Sequence, residues 1–170
     1  MNWKLLNQMF AIVLAAMLCA TAIAQQPEEL MWDDMIPYKQ DKVKSGLKGP
    51  AADIKRLVQE DPYEYLDFTQ PVAGLNGRYV KIPGFIVPLE SDEAGMLKEF
   101  LLVPYYGACI HTPPPPPNQI VYITFKDAIN VESTYDPYWI VGTLNTKPYM
   151  SDMADAVYRL EGERIETYEE

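Results

Sequence analysis

Cys109 and His111 stand two residues apart in GACIHTPPPPPNQ, directly ahead of five consecutive prolines. In an extended segment, side chains at i and i+2 leave the same face, so thiol and imidazole would share one small volume. A thiolate and an imidazole are ligands suited to zinc or to cuprous copper. The same two groups also make the nucleophile and base of a thiol enzyme. The third reading is structural, since free cysteine is among the most buried residue types and a lone histidine near a strand end often only hydrogen-bonds at a rim.

The metal reading needs further donors, because a closed zinc site takes four. The chain has one histidine and two cysteines, the other being Cys19. Remaining ligands would come from carboxylates such as Glu90, Asp92 and Glu93, from the thioethers of Met150 and Met153 for Cu+, or from a second copy of the chain. A homodimer would bring two thiolates and two imidazoles together. The catalytic reading needs a group to orient the imidazole, for which Asn118 or Gln119 would serve. Against it, side chains at i and i+2 point parallel more easily than at each other. A redox role lacks a resolving thiol. The expectation is therefore a binding protein and not an enzyme.

What positions the pair is a stiff backbone. Pro113, Pro114, Pro115, Pro116 and Pro117 fix φ near −65° and remove five donors, which predicts a polyproline II rod about 15 Å long. Thr112, preceding a proline, is kept out of the helical region. On the other side, Gly107 and Ala108 are small enough for close approach by another segment or a ligand. The rod has a second use: with Tyr105 and Tyr106 before it and Asn118 after it, it would form a docking edge for an envelope protein. Packing of the rod against the protein's own aromatics is an equally open reading.

Composition narrows the partners. The formal net charge is −10, with 24 Asp and Glu against 14 Lys and Arg. Such a field repels phosphate backbones and anionic lipid, which argues against nucleic acid and membrane-surface binding, and it concentrates cations. Lys4, the apolar run of residues 9–20 and Ala22-Ile23-Ala24 have the pattern of an export signal, so residues 1–24 are expected to be removed and the product to be periplasmic. No stretch is long enough for a transmembrane span. Lipid attachment at Cys19 is disfavoured by the bulky Met17 and Leu18 before it.

Residues 25–50 read as an extended arm, in which Trp32, Met35 and Ile36 dock on the core. Residues 51–170 read as one β-rich domain. It opens with a short helix over residues 51–60, where Ile54, Leu57 and Val58 share a face. Asn76-Gly77 predicts a tight turn. Five strand patterns follow: RYVKIPGFIVPLE with a bulge or bend at Pro83-Gly84, EFLLVPYY buried on both faces, IVYITFK, YWIVGTL, and AVYRLEGERIETY with one wet face. The fold class is mainly β with one short helix, as a small five-stranded OB-like barrel or a curled antiparallel sheet, with a β-sandwich as the other arrangement.

Three motifs in order, at residues 32–37, 84–90 and 107–118, resemble an uncharacterised family of exported bacterial proteins, some of them lipoproteins. They are Trp-Asp-Asp-x-Ile-Pro, Gly-Phe-Ile-Val-Pro-Leu-Glu, and Gly-Ala-Cys-Ile-His followed by prolines and Asn. The resemblance implies a periplasmic protein working beside an ABC-type transporter or another envelope component. It also implies a metal role, zinc before copper, with Cys109 and His111 as the ligands. The weak lipid-attachment pattern at Cys19 departs from the lipoprotein members.

Overall fold

The computed structural model describes residues 25–38, 66–108 and 114–168. The expected signal segment, the short helix, Cys109, His111 and Pro113 lie outside these residues. Six strands are described: β1 (Glu28–Glu29), β2 (Arg78–Ser91), β3 (Leu97–Val103), β4 (Val121–Ile129), β5 (Tyr138–Asn145) and β6 (Tyr158–Thr167). Their order is β1-β2-β3-β4-β6-β5, and β2 pairs again with β5 to close the sheet. The result is a five-stranded barrel with β1 as an extra strand. It is mixed rather than wholly antiparallel, because β4 and β6 run parallel, Val121 opposite Tyr158. Among the described residues only 3-10 turns are helical.

Barrel closure depends on β2 serving two partners. Residues 78–84 pair with β5 from Leu144 to Tyr138, and residues 85–91 pair with β3 from Val103 to Leu97. The change falls at Gly84-Phe85, next to the Pro83-Gly84 step. Of the expected bulge or bend, the bulge is not at this step: the strand runs unbroken through it as it changes partners, and the register shifts lie further on, around Pro88, Glu90 and Ser91. Glycine is required at 84 by space, since a Cβ would sit 2.7 Å from the Val103 carbonyl oxygen. The expected turn also differs in detail: Gly77 takes φ +78° while Asn76 stays at −64°. The Asn76 side chain instead accepts hydrogen bonds from the Thr146 amide and hydroxyl.

The arm is more regular than expected over its described part. β1 pairs in parallel with Val80 and Lys81, opposite the edge held by β5 and along the stretch of β2 that β3 does not reach. Covering that edge removes a row of unpaired backbone groups. Glu28 pairs with Arg78, and Glu29 lies 2.8 Å from Lys81. A 3-10 turn (Trp32–Met35) then seats Met35 in full burial, and the Trp32 indole donates to the Pro83 carbonyl at 2.7 Å.

Two apolar clusters hold the molecule. The barrel interior contains Val80, Ile82, Phe100, Leu102, Ile123, Ile140 and Leu160, with Phe100 and Phe125 stacked 6.0 Å apart. A second cluster, with Val87, Leu101, Val103, Ala108, Ile120, Tyr122, Ala154 and Ala156, includes the alternate face of β3. From Phe100 to Val103 both faces of β3 are therefore buried, which is why that part runs continuously apolar, while Lys98 and Glu99 before it are exposed. Tyr158, fully buried, accepts from the Val72 amide at 2.6 Å and donates to the Met35 carbonyl at 2.9 Å, tying the arm and the β2 approach to the barrel.

Candidate functional site

The segment carrying the Cys109 and His111 pair is anchored at both ends. Ahead of it, Ala108 is fully buried in the second cluster. Behind it, Pro115 is buried and Pro116 is extended at φ −55°, ψ 152°. The extended proline run ends at Pro116, because Pro117 begins a 3-10 turn (Pro117–Gln119) in which the Gln119 amide donates to the Pro116 carbonyl. Proline suits that first position, where its missing N–H would have had no partner. The Pro117 carbonyl accepts from the Val157 amide at 3.0 Å, linking the turn to the approach of β6.

Asn118, read from sequence as part of a docking edge or as an orienting group, is fully buried. Its amide nitrogen donates to the Asp67 and Gln70 carbonyls at 2.8 and 3.1 Å. Those two bonds fix the amide's orientation and leave Oδ1 buried with no donor among the described residues. Gln119 donates to the Trp32 carbonyl at 3.0 Å and so joins the turn to the arm.

The other sequence candidates are dispersed by role. Asp92 accepts from the Ala94 and Met96 amides through Oδ1 and shapes the β2–β3 loop. Glu90 and Glu93 are exposed, as are Met150 and Met153. Among the described residues no group of three His, Cys, Asp or Glu side chains could hold a metal ion. Tyr105 and Tyr106 are about half exposed, and the rings packed on Tyr106 are Phe85 at 6.1 Å and Tyr135 at 5.4 Å.

Phe85, Tyr106 and Tyr135 line a cavity of about 230 Å³ together with Val103, Gly107 and Thr134. Sequence reasoning marked Tyr106 and missed the other two rings. Phe85 falls inside the RYVKIPGFIVPLE strand pattern and Tyr135 between the IVYITFK and YWIVGTL patterns, and no local signal joins positions fifty residues apart. A second cluster was also unmarked. Tyr122 and Tyr149 stack at 3.9 Å with planes 4° apart, and the Arg159 guanidinium lies 5.4 and 5.7 Å from their centroids. Tyr122 donates to Glu99 at 2.5 Å. Burial first, then the hydrogen bond to that carboxylate, holds the Tyr122 hydroxyl well above the ordinary tyrosine range.

A family model described as a protein of unknown function, DUF3299, matches residues 32–167. The crystal structure of a DUF3299 family protein from Pseudomonas aeruginosa PAO1 is similar at 38% identity and a TM-score of 0.64, covering 86% of this chain and 99% of that one. Comparison with curated proteins finds no match.

Proposed function

This chain belongs to the DUF3299 family, and from that premise we propose that it is a periplasmic binding protein holding a soft metal ion, Zn2+ before Cu+, through Cys109 and His111. The observation that carries the reading is the anchoring of the flanks of this segment: Ala108 is fully buried ahead of the pair, and Pro115 and Asn118 are buried behind it. Flanks fixed during folding limit the ordering that two soft donors must undergo on taking up an ion.

The pair supplies two donors, and a carboxylate, a thioether, solvent or a second copy of the chain would complete the site. A site with two protein donors and exchangeable positions takes up and releases its ion, which suits a protein that hands cargo to a transporter or another envelope component. The acidic field, −10 over the whole chain, raises the local cation concentration.

Calorimetric titration of the reduced protein with Zn2+ tests this. The expected result is one site, lost in Cys109→Ala and His111→Ala, with affinity declining below about pH 6.5 as an ordinary imidazole protonates. Unchanged binding in both variants would remove the site.

A further inference from the structure

We infer that the cavity between β2 and the β3–β4 and β4–β5 connections is a second binding site, for a small organic cation of the quaternary ammonium class. Phe85 from β2, Tyr106 from the connection after β3 and Tyr135 from the connection after β4 present three rings to one space. An aromatic ring attracts a cation through its negative face when the charge lies within about 6 Å of the centroid. With centroids 6.1 and 5.4 Å apart in sequence Phe85, Tyr106, Tyr135, one onium group can lie within range of more than one ring. The planes of Tyr106 and Tyr135 are inclined by 34°, so the two rings meet tilted and not face to face.

Size and charge select the occupant. A cavity of about 230 Å³ lies below the usual range for drug-sized ligands, about 300–1,000 Å³, and suits a group of a few heavy atoms. Tyr135 is 71% exposed despite its aromatic neighbours, an arrangement that leaves a ring surface open. The exposed carboxylates Glu132 and Asp136 flank it in the chain. A trimethylammonium headgroup meets all three conditions, because it is small, fully charged, and weakly enough hydrated to leave water for aromatic faces. A phosphate or carboxylate ligand meets a field of the wrong sign.

The test is calorimetric titration of the full exported chain with choline and with its neutral carbon isostere, 3,3-dimethylbutan-1-ol. Choline is expected to bind at one site and the isostere at least tenfold more weakly. Tyr135→Ala, on a largely exposed side chain, is expected to weaken choline at least tenfold with an unchanged melting temperature. Tyr135→Phe keeps the ring and stays within threefold of wild type, and Cys109→Ala leaves choline binding unaltered. Equal affinity for choline and the isostere would reduce the cavity to an apolar hollow and overturn the proposal. So would failure of choline to bind, or binding of a proline-rich peptide at this cavity in its place.

Discussion

At the scale of one residue, Asn118 ties the turn behind the Cys109 and His111 segment to the residues ahead of β2. Asn118→Ala leaves the Asp67 and Gln70 carbonyls without its two bonds and should lower the unfolding free energy by about 2 kcal/mol, read from urea denaturation. The same substitution loosens the flank behind the Cys109 and His111 segment, and zinc affinity, read by calorimetry, should fall with it. Its burial was not legible, because an asparagine after prolines has the composition of an exposed loop, and only the distant Asp67 and Gln70 carbonyls draw it inward. The Cys109 and His111 pair rests on residue type and spacing, and it lies outside the described residues. Tyr158 and Tyr122 add a pH dependence: burial raises both hydroxyls above the ordinary tyrosine value. The folded protein keeps them neutral while the unfolded chain ionises them freely. Their contribution is therefore complete below about pH 10 and declines as pH rises past it. Urea midpoints compared at pH 8 and pH 11 should fall, and fall less in Tyr122→Phe.

At the scale of elements, β2 decides whether the sheet closes. Gly84→Ala places a methyl against the Val103 carbonyl and the Leu102 side chain at the point where β2 changes partners. Overpacking of this kind costs about 1–3 kcal/mol, measurable as a lowered denaturation midpoint. The expected sign is destabilisation although alanine is the better strand former. All five barrel strands were legible from their β-branched and aromatic runs, and the two-faced burial of β3 from its unbroken apolar stretch. The parallel pairing of β4 with β6 was not, because strand alternation records which face is wet and carries no information about the neighbour. The sequence left a bulge or a bend open at Pro83-Gly84, since proline and glycine together fit both, and the change of partners falls beside that step without a register shift.

At the scale of the molecule, the described part of the arm completes the barrel. Leu30 and Met35 belong to the interior cluster, and β1 covers an edge of β2. Met35→Ala should cost about 2–5 kcal/mol, as for other buried methionines, and should expose the Tyr158 hydroxyl to water. Differential scanning calorimetry checks the first expectation. The barrel thus delivers, on anchored flanks, a segment whose thiol and imidazole are the donors of the proposed soft-metal site. Substitution of Co2+ for Zn2+ tests that claim most directly, because a thiolate bound to cobalt gives a sulfur-to-metal charge-transfer band in the near ultraviolet. The account predicts this band in the reduced wild-type protein and its loss in Cys109→Ala. A cobalt spectrum from the wild type without that band, or one that persists in Cys109→Ala, would contradict it.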